Sequence, residues 1–89
     1  MQAIVSVIGP DRVGITAEVC ALLAANNINI LDITQTILGG YFTMMMVVDL
    51  DGAHMEFSAI DEALQSVRDE MKMAIHIQRM DIFDAMHRI

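Results

Sequence analysis

The spacing of apolar positions along the chain switches between a period near two, as in strands, and a period near 3.6, as in helices. Residues 2 to 8 alternate loosely, with Ala3, Val5 and Val7 on one side and Ile4, Ser6 and Ile8 on the other, the pattern of a central strand. From Ile15 the positions Ile15, Val19, Leu22 and Leu23 fall at i, i+4, i+7 and i+8 and predict a helix, which Asn26-Asn27 ends because Asn tolerates a left-handed backbone. Two β-rich runs follow, Ile28 to Leu38 and Tyr41 to Leu50, and the Gly39-Gly40 pair between them predicts a hairpin.

In the third strand Phe42, Met44, Met46, Val48 and Leu50 share one face, and Tyr41, Thr43, Met45, Val47 and Asp49 share the other. The second strand changes parity part-way, with Ile28 and Ile30 on one side and Leu31, Ile33 and Ile37 on the other, so a bulge is expected near Leu31-Asp32. Phe57, Ile60, Leu64, Val67 and Met71 predict a second amphipathic helix with Ser58 as its N-cap, and Asp61, Glu62, Asp69 and Glu70 form its solvated face. Met73 to Ile82 reads as a fourth strand, followed by a short tail, Phe83 to Ile89.

The order is β-α-β-β-α-β, an α+β ferredoxin-like arrangement in which two helices cover one face of a four-stranded antiparallel sheet. The 89 residues suit a single domain spanning 1–89. The opposite face of the sheet presents Ile4, Ile8, Met45, Val47 and Met80, interrupted by Ser6, Thr34, His76 and Gln78. That half-apolar face is expected to be covered by a second subunit or by the tail with Phe83, Met86 and Ile89, and a homodimer is favoured.

Composition narrows the partners. A net charge of −7 repels phosphate backbones and anionic membrane surfaces, so neither nucleic acid nor membrane is an expected partner. No apolar run reaches membrane-spanning length, the single Cys20 cannot form an internal disulfide, and no leader pattern precedes the first strand; a cytoplasmic location is expected. Cys20 at the edge of the first helix's apolar stripe reads as a small buried hydrophobe.

Candidate chemistry is concentrated in Gly9-Pro10-Asp11-Arg12-Val13-Gly14-Ile15, between the first strand and the first helix. A tight turn there gathers backbone N–H groups beside the positive end of a helix, which suits a small anion. Gly14 lets another molecule approach the main chain. His54, His76 and His87 share no ligand spacing, so no metal or other cofactor is expected. Asp49 and Asp51 suit local turn bonding, and Ser6, Ser58 and Ser66 lack a recognisable His and Asp around them.

The run Ile8 to Ile15, followed by Asn27-Ile28-Asn29-Ile30 and by Gly39-Gly40 before a strand, resembles an ACT domain over nearly the whole chain. It is most similar to the small stand-alone bacterial ACT proteins and to the modules of the glycine cleavage system repressor. The resemblance implies a non-catalytic regulatory fold, usually dimeric, that binds an amino acid or similar metabolite where the first loop of one subunit meets the second strand of its neighbour, and that signals to a protein partner. It implies that Asp11 contacts the ligand's amino group, with Arg12 beside it. Gly14 then admits the ligand to the main chain, Val13 and Ile30 line the pocket, and Asn29 reaches across the interface.

The chain departs from the family pattern in three places. Val13 stands where many ACT loops have proline, Gly9 where serine-sensing relatives have histidine, and Asp11 where asparagine is more usual. Serine specificity therefore does not carry over. The alternative is an interaction module without a ligand, docking through its sheet face or edge. Acylphosphatases share the fold and use an Arg from the first loop with an Asn from the second strand; Arg12 and Asn29 mimic that pair, but the loop lacks the Val-Gln-Gly-Val run.

Overall fold

A computed structural model describes residues 1–10 and 13–80 of the chain. The elements run β1 (Gln2–Pro10), α1 (Ile15–Ala25), β2 (Asn29–Leu38), β3 (Tyr41–Asp49), α2 (Phe57–Met71) and β4 (Ala74–Arg79). The four strands form one antiparallel sheet in the order β2-β3-β1-β4. This is the ferredoxin-like βαββαβ architecture that the periodicity predicts.

The core lies between sheet and helices. Ala3, Val5 and Val7 of β1 and Met44, Met46 and Val48 of β3 meet Ile15, Val19 and Leu23 of α1 and Ile60, Leu64 and Val67 of α2 in one cluster. No polar or charged residue is buried among the described residues, so burial of apolar surface is the main favourable term. The outer strands differ. β4 sends Ile75 and Ile77 into the core, whereas every residue of β2 except the half-buried Ile30 is exposed.

Local signals explain most boundaries. The α1 helix ends at Asn26, Asn27 turns left-handed at φ 57°, and its side-chain amide donates to the Gly52 carbonyl at 2.9 Å, tying the α1–β2 turn to the β3–α2 turn. Gly39 and Gly40 both take positive φ in the hairpin, which favours a glycine pair there. Between Ile30 and Asp32 the register with β3 slips by one residue, so Leu31 is the predicted bulge.

Two expectations are corrected. Ser58 is not the N-cap of α2: the helix begins at Phe57, whose ring packs on the core, and Glu56 occupies the cap position without a side-chain bond. The fourth strand ends at Arg79, and the backbone is already helical at Met80; residues 81 and 82 of the expected strand lie outside the described residues. On the sheet face opposite the helices, Ile4 is 9% exposed while Ile8 on the same side of the same strand is 47% exposed. The tail from Phe83 to Ile89, with His87, lies outside the described residues.

Candidate functional site

The loop begins where β1 leaves the sheet. Pro10 pairs with Tyr41, which pairs in turn with Leu38, so the β1–α1 connection and the β2–β3 hairpin share one end of the sheet. Gly14 is the N-cap of α1 with φ 88° and ψ −3°, and its carbonyl accepts from the Glu18 N–H at 2.9 Å. A helix leaves its first N–H groups without intrahelical acceptors, and among the described residues no side chain caps those of α1. Gly14 meets nothing within 4 Å on its Cβ side among the described residues, and Val13 is fully exposed. Among the described residues, the entrance to the helix N-terminus is lined by backbone and the Val13 side chain. Asp11 and Arg12 lie outside the described residues.

Below the loop, Gly9 faces the helix side and Met73 is pressed against it. A Cβ at position 9 would sit 2.6 Å from the Met73 Sδ, so glycine is what lets this methionine fill the space under the loop. Met73 is almost fully buried. Its role was not evident in the sequence, because the contact joins residues 64 positions apart, and only the general Met richness hinted at gap filling.

Asn29 and Ile30 sit at the opposite end of the molecule. Asn29 pairs with Asp49, and Asp49 pairs with Gln2, so Asn29 is level with the start of β1 while the loop leaves from its end. Eight residues of strand separate those levels, about 27 Å at roughly 3.4 Å per residue. By register Asn29 lies on the side of the sheet away from the helices, and Ile30 lies on the helix side against the core. The structure thus does not bring Asn29 and Ile30 to the loop within one chain. For the same reason no acylphosphatase-like pairing of Asn29 with the loop arises inside one subunit.

The remaining candidates have local roles. Asp49 accepts the Asp51 N–H at 3.0 Å, and Asp51 receives the N-terminal ammonium of Met1. His54 and His76 are exposed, Cys20 is a half-buried free thiol, and no group of three metal-ligating side chains forms among the described residues. No described helix is long and apolar enough to cross a membrane.

The exposed apolar side chains that sequence reasoning passed over are on β2 and its hairpin. Leu31, Ile33, Ile37, Leu38 and Tyr41 are all exposed, although Ile33 and Ile37 point to the helix side, because neither helix extends over β2. Ile37, Leu38 and Tyr41, together with Val13, give the loop end of the molecule an apolar rim, and Leu31 and Ile33 extend the exposed apolar edge along β2.

The arrangement of elements is shared by known proteins, and the sequence decides the family: the ACT domain pattern matches residues 1–78. The chain belongs to the ACT domain family. A UPF0237 protein of Bifidobacterium longum is 48% identical over 88 residues, covering 99% of this chain and 98% of the relative. An ACT domain protein from Streptococcus pneumoniae superimposes with a TM-score of 0.81 at 38% identity, covering 94% of each chain. The regulatory subunit of aspartate kinase from Thermus thermophilus superimposes with a TM-score of 0.67 at 29% identity, over 86% of this chain and 50% of that one. ACT domains are commonly regulatory, ligand-binding modules.

Proposed function

We propose that this ACT protein is a non-catalytic sensor of an amino acid or a similar small zwitterion, bound at sites shared by two copies of the chain, and that it passes the bound state to a protein partner. The observation that carries the reading is the separation of the two candidate half-sites. Loop and Asn29 lie at opposite ends of one sheet, and a two-fold partner brings them to the same end. The unpaired edge of β2 supplies the contact surface: antiparallel pairing of β2 with its counterpart sets the start of one strand beside the hairpin end of the other. It also covers Leu31, Ile33 and Ile37, which a lone chain leaves in water.

The chemistry fits a zwitterion better than a simple anion. Free N–H groups at the start of α1 favour a carboxylate, but the net charge of −7 and Glu18 in the first turn of the helix oppose an uncompensated negative ligand. An ammonium group on the ligand offsets that repulsion, and Asp11 is the residue we assign to it, with Arg12 at the mouth of the site. Val13 supplies an apolar wall, and Asn29 and Ile30 at the start of the neighbour's β2 close the site from the rim of its sheet. Binding regulates by stabilising the dimer geometry in which both half-sites meet. The dimer and its cytoplasmic setting belong to this reading.

A thermal-shift screen of the twenty standard amino acids at millimolar concentration tests it, since a ligand selective for the native state raises the melting temperature. The expected result is a shift for one amino acid or a chemically related few, reduced in Asn29→Ala. No shift with any of them contradicts the reading and favours a module that docks protein only.

A further inference from the structure

The sheet by itself holds the start of β2 weakly. Asn29 and Ile30 belong to an edge strand, and the bulge at Leu31 interrupts the ladder directly after them. Only two register pairs, Asn29 with Asp49 and Ile30 with Val48, lie on their side of that interruption. Ile30 is half-buried against the core, but the Asn29 side chain is exposed. A fixed position for Asn29 therefore needs a second anchor, on the side away from the bulge.

The α1–β2 turn supplies it. Asn27 takes φ 57°, a conformation that Asn adopts more readily than most residues with a Cβ, and its side-chain amide donates to the Gly52 carbonyl at 2.9 Å. Beside it the His54 N–H donates to the Asn26 carbonyl at 3.0 Å. These bonds join the residues just before β2 to the β3–α2 turn. Gly52 fits the same contact from the other side: a Cβ there would lie 2.9 Å from the Asn27 Nδ2, so a side chain would push the amide away. The Asn27 bond is exposed to solvent, where water replaces a lost partner and the net gain in stability is small. Its effect is on position.

We infer that Asn27 and Gly52 are the positioning pair of the Asn29 half-site, holding the start of β2 where the bulge alone would leave it loose. The inference rests on the shared site proposed above and adds to it residues that are assigned no ligand contact; both act through Asn29. A strand start already held in its bound conformation spares the ligand the cost of ordering it, so affinity depends on a turn outside the site. The β3–α2 turn is thereby part of the recognition machinery.

Two substitutions break the tie in different ways. Asn27→Gly keeps the left-handed backbone and removes the amide, whereas Gly52→Ala keeps the amide and displaces it. In the full-length chain without ligand, hydrogen exchange at the amides of residues 28–30 is expected to rise at least tenfold in each variant, with those of Val5 and Met46 unchanged. The double variant is expected to go no further than either alone. Unchanged exchange at 28–30 overturns the proposal. The amino acid giving the largest shift in the thermal screen is then titrated calorimetrically. Asn27→Gly is expected to weaken binding at least fivefold, and to weaken it no further in a chain that already carries Asn29→Ala. An equal loss with and without Asn29 overturns the inference and leaves the shared site standing. A parent chain that binds no amino acid, or binds as well with Asn29→Ala, overturns the shared-site reading and with it the role given to Asn27 and Gly52.

Discussion

Two glycines in the first loop act for different reasons. Gly9 is required by contact, because Met73 fills the space a side chain would take, whereas Gly14 is required by conformation, at φ 88° with open space around it. A Gly14→Ala chain is therefore expected to lose about 1–2 kcal/mol, the cost of left-handed backbone for a residue with a Cβ. In a urea titration this appears as a lower midpoint with an unchanged slope. An Asn at the same position is expected to recover part of that loss. The loop's glycines were legible from the sequence as turn chemistry. The reason for Gly9 was not, since it depends on a methionine arriving from the far end of the chain.

Among the elements, β2 is where sequence and tertiary structure part. Its bulge was legible, because Ile30 and Ile33 must both face the helix side although three positions apart, and one extra residue is the way to do it. Its place in the sheet was not, because Ile33 and Ile37 look like core positions until the helices are seen to stop short of them. Such an apolar edge invites another strand. Ile37→Lys is expected to leave the stability of the monomer within about 0.5 kcal/mol, as for an exposed site. In sedimentation it is expected to shift the chain from dimer to monomer. An unchanged dimer would place the interface elsewhere.

At the scale of the whole molecule, the architecture was readable because each element carries a clean period and the turns carry Gly, Asn and Asp where they are needed. The site was readable only as two fragments, the loop and the start of β2. Sequence alone gives no distance between them, and the register supplies it: they stand about 27 Å apart along the sheet, at roughly 3.4 Å per residue. That separation makes the dimer a requirement of the proposed site. In that proposed site the loop of one subunit depends on the strand of the other, so ligand binding and dimer geometry are expected to be linked.

The most direct test of a shared site uses mixed dimers. Asp11→Ala and Asn29→Ala chains are prepared separately, then unfolded and refolded together, and titrated calorimetrically with whichever amino acid the thermal screen identifies. Each variant alone is expected to bind at least tenfold more weakly than the parent. Random pairing across a two-fold axis gives heterodimers with one intact and one doubly altered site, so the mixture is expected to regain parental affinity at about one quarter of the parental sites. A mixture that binds no better than its two components would contradict the account, and would place the ligand within a single chain.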